Sequence, residues 1–404
     1  MKDGMIRSEM GAVQRKSPGT EVQRIARKAA SMSKPIHYHE GMFPPAELDW
    51  TRLLPLIGPA NAAVARYDGI LSAIPNAQVL LSPLATQEAV LSSRIEGTQA
   101  SMGEVLEYEA RGIKGEPSTP KEKDIREIIN YRLALQAATR MLKDLPLCQR
   151  VVLESHRILL DSVRGHGKSP GQYRKTPNWI GATGCTIEDA RFVPISAAKL
   201  PGAMSLWEKF IHDPAADRLV QLALLHAEFE SLHPFLDGNG RLGRMLIPLF
   251  LYQTKLIQQP VFYISAYLEI HRDEYYDLLL AVSRDNDWSG WCAFFLEAVR
   301  VQAEENFSKA HSILNLYRRM MTRVAELTHS QYAIHALDWI FEKPIFKAAD
   351  FVRSARAPKP TARRILSQLK TEGVLRELQA SSGRRSATLV YPELLNIAEG
   401  HPVF

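Results

Sequence analysis

A chain of 404 residues is too long for one ordinary core and implies two or three domains. With 46% apolar and 23% charged residues it is a globular protein, not a disordered or fibrous one, and its three scattered cysteines (Cys148, Cys185, Cys292) exclude a disulfide framework or a zinc site. No apolar run reaches the roughly 18 to 20 residues a membrane span needs and no signal-peptide core opens the sequence, so the chain reads as cytoplasmic with no membrane contact.

The formal charge of +6 is uneven: residues 1–40 carry about +4 and residues 351–390 about +7, which puts any polyanion contact at the ends. Residues 1–43 are basic and lack a sustained apolar stripe, as a mobile tail would, and folded structure is expected from near Pro44. From Trp50 to about Lys114 apolar residues recur at helical spacing, with Pro75-Asn76 separating two runs, the second from Leu84 through Leu106. Residues 115–124 (GEPSTPKEKD) read as a linker before the amphipathic stretch DIREIINYRLALQAATRML. Residues 170–194 mix turn residues with short extended stretches, which predicts a β-hairpin flap lying on a helical body. Helical patterns then resume and end in a long one reaching Thr328. From residue 331 three short helical stretches and two extended runs around Ser-Gly-Arg-Arg form a winged helix-turn-helix pattern.

The chemistry lies in His233 to Arg244, HPFLDGNGRLGR, a loop between two apolar helical runs. Gly238, Asn239 and Gly240 suit backbone of positive φ, whose successive N–H groups form an anion nest. A helix expected from Arg241 would add its N-terminal donors to the same spot. Arg241 and Arg244, three residues apart, can grip phosphate oxygens bidentately. Asp237 offers the hard oxygen a phosphate-bound Mg²⁺ prefers, and His233 is the group able to act as a base near neutral pH. A bland reading, a surface turn with solvated arginines, fits each residue singly but not the ordered set.

These twelve residues match the core motif of the Fic (filamentation induced by cAMP) family, HxFx(D/E)GNGRxxR, and the chain resembles that family from about Pro44 to Arg300. The resemblance implies a mainly α fold, a Fic-type helical bundle with a β-hairpin flap, and protein adenylyltransferase activity. In it His233 deprotonates a Ser, Thr or Tyr hydroxyl of the target, Asp237 holds Mg²⁺ on the ATP phosphates, and Gly238, Asn239, Gly240, Arg241, Leu242, Gly243 and Arg244 bind ATP. Residues 171–181 (GQYRKTPNWIG) look like the family's flap, with Asn178, Trp179, Ile180 and Gly181 aligning the target; Pro177 departs from the polar residue expected there. Tyr275 falls where such proteins place an adenine-pocket aromatic, although ordinary helix packing explains it as well. Residues 92–97 (SSRIEG) fit the family's inhibitory signature, in which Glu96, with Ser92 one turn before it, pairs with Arg244 and keeps it from the γ-phosphate.

The implied organisation is a tail (1–43), an N-terminal helical region with the inhibitory helix (44–125), a catalytic core (126–300), a linker helix (301–330) and a winged-helix domain (331–404). ATP and proteins with an exposed hydroxyl, itself included, are the expected partners. A second copy of the chain is a further candidate, and so is DNA at Arg353, Arg356, Lys359, Arg363, Arg364, Arg384 and Arg385. The alternative is a winged-helix transcriptional regulator whose Fic-like body only senses nucleotide. His226 and His233 lie seven residues apart, the wrong spacing for a zinc helix, and His156 on an apolar helix reads as a core residue.

Overall fold

Several helices begin where the sequence offers a side chain to cap them. The computed structural model describes residues 34–112, 117–161, 166–383 and 385–403. It is mainly helical, as expected: α1 (Trp50–Ala73), α2 (Ala77–Leu80), α3 (Ser82–Ile95), α4 (Met102–Arg111), α5 (Pro120–Met141) and α6 (Gln149–Leu159) come first. A long loop then leads to α7 (Leu200–His212), α8 (Arg218–Leu232), α9 (Asn239–Gln253), α10 (Ser265–Ile270), α11 (Arg272–Asp285) and α12 (Trp288–Thr328). Capping boxes start α4 (Ser101 with Glu104) and α5 (Thr119 with Glu122), and the Asp217 carboxylate accepts the first free N–H groups of α8. With Pro120 at its first position, α5 starts inside the stretch expected to be a linker.

The apolar run from Leu84 to Leu106 is not one helix. It breaks after Ile95, and Gly97, at φ 102°, turns the chain between α3 and α4. The 41 residues of α12 form a rod of about 60 Å that packs along α1. From α3, Glu88 accepts the Ser265 hydroxyl (2.6 Å) and N–H (3.0 Å), which fastens the middle of that helix to the start of α10.

The segment before Pro44 is docked from Lys34 onward, unlike the tail expected there; residues 1–33 of that tail lie outside the described residues. Strand β1 (Ile36–His37) pairs in parallel with β2 (Phe192–Val193). The Tyr38 hydroxyl donates to Glu228 of α8 at 2.6 Å, His39 bonds the same carboxylate at 2.9 Å, and Phe43 is buried. Two aromatic anchors on one buried carboxylate offset the ordering of a short polar segment.

Beyond α12 come α13 (Ala333–Glu342), β3 (Ile345–Lys347), α14 (Ala348–Ser354), α15 (Lys359–Thr371), β4 (Arg376–Gln379), β5 (Thr388–Val390) and α16 (Pro392–Glu399). The strands form an antiparallel sheet in the order β3-β5-β4. This unit also touches α3 and α4: α16 packs on α3, the Ser82 hydroxyl donates to the Glu342 carbonyl at 3.1 Å, and Lys347 donates to the Arg111 carbonyl at 2.7 Å. Arg384, expected in the wing, lies outside the described residues. Among the described residues no helix is long and apolar enough to cross a membrane.

Candidate active site

The loop between α8 and α9 is built by its own side chains. His233 ends α8 in the left-handed region (φ 46°) and Gly238 (φ 81°) opens α9. Asn239 closes the turn: its Oδ1 accepts the Phe235 N–H at 2.8 Å and its Nδ2 donates to the Phe235 carbonyl at 2.9 Å. α9 therefore starts two residues before Arg241, where the sequence expected it. Only Gly238 of the Gly-Asn-Gly run has positive φ. Gly240 answers to space instead: a Cβ there would lie 2.2 Å from Glu96 Oε1.

At the N-terminus of α9 the N–H groups of Asn239, Gly240 and Arg241 have no partner within the helix. The Leu242 N–H already donates to the Gly238 carbonyl at 3.0 Å and its side chain is buried in the core, so it adds nothing to an anion site. Gly243 faces Glu230, whose Oε1 would meet a Cβ at 2.3 Å.

His233 Nδ1 lies 3.3 Å from the Glu230 carbonyl. A carbonyl only accepts, so Nδ1 carries the proton and Nε2 is left with its lone pair. Burial pushes His233 down to about 4, which keeps the imidazole neutral at neutral pH. The Asp237 carboxylate is 40% exposed and meets Arg241 at 3.3 Å. Arg241 is otherwise held by Glu127 of α5 at 2.9 Å, a partner the sequence did not suggest.

Arg244 is 1% exposed and fully committed to α3. Its Nε donates to Ser92 Oγ (3.0 Å), and its NH2 to the Ser92 carbonyl (2.8 Å) and Glu96 Oε1 (2.7 Å). Burial disfavours both charges. Even so, Arg244 holds the Glu96 carboxyl below its ordinary value, and Glu96, Tyr275 and Glu230 hold the guanidinium above its own. Glu230, buried beside them, is pushed up to about 7 by desolvation.

Tyr275 is fully buried, and its hydroxyl bonds His226 Nε2 at 2.9 Å; it packs the core and offers no face to a nucleotide base. The next residue, Tyr276, is the part-exposed aromatic within electrostatic reach of Glu96, Arg244 and Glu230. A shift of one residue in helix phase separates the two, and periodicity alone does not resolve it.

The flap is a minimal hairpin: its two arms meet in one antiparallel bridge, Ile180 with Phe192, and Phe192 and Val193 pair onward with β1. Asn178 donates to the carbonyls of His233 (3.2 Å) and Phe235 (3.0 Å), which ties the flap to the motif loop. Trp179 (42% exposed) and Ile180 stand in solvent, and a Cβ at Gly181 would strike Cys185 Sγ at 2.6 Å.

Two residues in plain view of the sequence carry more than expected. Buried Arg174 donates to the carbonyls of His233 (2.9 Å), Leu232 (3.2 Å) and Ile195, and burial lowers it to about 10. His156 bridges loop and flap: its Nδ1 accepts the Gly171 N–H (2.9 Å) and its Nε2 donates to the Asp237 carbonyl (3.0 Å).

Residues 54–140 match the family model "Fic/DOC family N-terminal" and residues 146–251 the model "Fic/DOC family". The chain is 27% identical over 135 residues to the protein adenylyltransferase Fic of Drosophila grimshawi, covering 32% of this chain and 25% of that protein. It is 26% identical over 172 residues to the protein adenylyltransferase fic-1 of Caenorhabditis briggsae, covering 40% and 30%. The chain thus spans under a third of the length of these relatives. A crystal structure of a Fic family protein from Desulfovibrio desulfuricans G20 superposes with a TM-score of 0.54 at 20% identity, over 86% of this chain and 98% of that one, which shows a shared fold. With both family models matched in sequence order and the motif loop seated between α8 and α9, the chain belongs to the Fic/DOC family.

Proposed function

We propose that this protein transfers the AMP moiety of ATP onto Ser, Thr or Tyr hydroxyls of proteins, and that Glu96 holds it in a self-inhibited state. The observation that carries the reading is the seat of the Glu96 carboxylate: against Gly240 at the N-terminus of α9 and 2.7 Å from Arg244. An anion already fills the place where free N–H groups, a helix dipole and a guanidinium converge. A terminal phosphate competes for that same fork, and with Glu96 in place ATP would bind with its α-phosphate turned from in-line attack.

The reaction follows from the remaining groups. The acceptor oxygen bonds the α-phosphorus, the bond to the β-phosphate oxygen breaks and pyrophosphate leaves, while the hydroxyl proton passes to His233 Nε2. Asp237 fits Mg²⁺, since it is a partly exposed carboxylate with one oxygen only weakly engaged by Arg241. Bound there, the ion would offset phosphate charge. A regulator that only sensed nucleotide would have no use for a neutral imidazole with Nε2 free, and this favours the transferase.

ATP labelled at the α-phosphorus separates the readings. The Glu96→Gly protein should deposit the α-label on itself or on lysate proteins, and should deposit none from γ-labelled ATP. Incorporation from the γ-label would mean phosphoryl transfer, and bound but uncleaved ATP would favour the sensor.

A further inference from the structure

We infer that duplex DNA docks on the outer face of α15, a surface separate from the nucleotide site and independent of the transferase reading. α14 and α15 are joined by the four residues Ala355 to Pro358, the short turn of a helix-turn-helix; β3 packs on α14, and β4 and β5 follow α15 in the chain. α15 is divided lengthwise. Ala362, Ile365, Leu366 and Leu369 are buried, whereas Lys359, Arg363, Ser367 and Lys370, at i, i+4, i+8 and i+11, share an exposed face beside them. That face lines an open groove of about 580 Å³ whose other wall includes Arg353, Ala349 and Ser386.

Charge on this surface is not neutralised from within. Arg353 pairs with Asp350 and Lys370 with Glu377. Arg356, Lys359, Arg363 and Arg364 are exposed and form no ion pair among the described residues. Exposed Lys359, Arg363 and Arg364 along the outer side of a 13-residue helix suit a phosphate backbone. The B-form major groove, about 12 Å wide, admits a helix. The deep, narrow major groove of A-form RNA does not. Lys359 and Arg363, in the first two turns, would reach base edges, while Arg356 and Arg364 would meet phosphates.

The test is fluorescence anisotropy of the full-length protein with a labelled mixed-sequence duplex of about 20 base pairs, read across a salt series. Each phosphate contact adds about −0.9 to the slope of log K against log salt, so Arg363→Glu with Arg364→Glu, which removes one base contact and one phosphate contact, should weaken binding at least tenfold and flatten the slope by about 1. Arg140→Glu with Arg150→Glu, at exposed positions elsewhere, makes the same charge change and should leave binding within about twofold. His233→Ala should bind the duplex as the unaltered protein does. The inference is overturned if the α15 double variant, still folded by circular dichroism, binds unchanged, since the basic residues 1–33 would then carry the contact. It is equally overturned if single-stranded RNA or polyglutamate of matched charge binds as tightly as the duplex.

Discussion

Among the described residues the side-chain hydrogen bonds of Arg244 run to α3 and the residue that caps its end: to the Ser92 hydroxyl, the Ser92 carbonyl and the Glu96 carboxylate. A guanidinium so held is preorganised for one anion, and Glu96 is that anion; in the proposed reaction a phosphate replaces it. In the proposed reaction His233 differs in kind, because a general base acts in the transition state and adds little to the grip on phosphate. His233→Ala should therefore lower AMP transfer at least about 100-fold while calorimetric ATP affinity stays within a few-fold. Lost affinity with a preserved rate would assign the imidazole to binding. Twelve consecutive residues spelled out most of this chemistry. Their partners were harder to read: Glu127 meets Arg241 from 114 residues away and Arg174 works through main-chain carbonyls, neither of which leaves a pattern in sequence.

At the scale of elements, the catalytic loop is held from above by the flap and from the side by α6. Arg174 alone spans the carbonyls of Leu232, His233 and Ile195, joining the end of α8 to both arms of the flap. Removing it takes the side-chain donor from the Leu232 and Ile195 carbonyls, at about 1 to 3 kcal/mol each before relaxation, while Asn178 still donates to His233. Arg174→Ala should accordingly lower the thermal midpoint by several degrees and reduce the transfer rate through a misplaced His233. Lysine should not restore either, since one ammonium cannot reach three diverging carbonyls. An unchanged midpoint would show that the flap holds its place without Arg174. Turn residues announced the flap but not the pairing of its strand with β1, from a segment that reads as a polar tail. Long-range pairing of two-residue strands lies beyond any local periodicity.

Across the whole molecule, α3 is wedged between catalytic helices and the C-terminal unit, and buried histidines tie acid stability to the core. His156, His226 and His233 are lowered by burial to about 4, 3 and 4. In the unfolded chain they titrate near 6.5, so as pH falls below that the unfolded state takes up protons first and stability is lost down to about 4. Glu230, raised to about 7, has the opposite sign: its contribution grows as pH falls from about 7 towards 4.5. Three groups outweigh one, each worth up to about 1.4 kcal/mol per pH unit. The calorimetric midpoint should fall steadily from pH 6.5 to 5; a flat or rising midpoint would mean the imidazoles are solvated. The helical plan of the chain was legible from apolar spacing and caps. The wedging of α3 was not, since α16 and the Glu88 contact with Ser265 join segments far apart in sequence.

In the proposed self-inhibited state the Glu96 carboxylate stands in for a terminal phosphate at Arg244 of α9, 148 residues away. The rate of AMP transfer by Glu96→Gly tests it most directly, measured with α-labelled ATP on the protein itself and on lysate proteins, alone and combined with Arg244→Ala. In-line geometry is worth on the order of 7 to 11 kcal/mol, so freeing Arg244 should raise the rate by one to several powers of ten. The double variant should fall to the level of Arg244→Ala alone, because the two changes act on one contact. A folded Glu96→Gly protein that labels no faster than the unaltered chain would make Glu96 an ordinary helix-capping carboxylate and contradict self-inhibition.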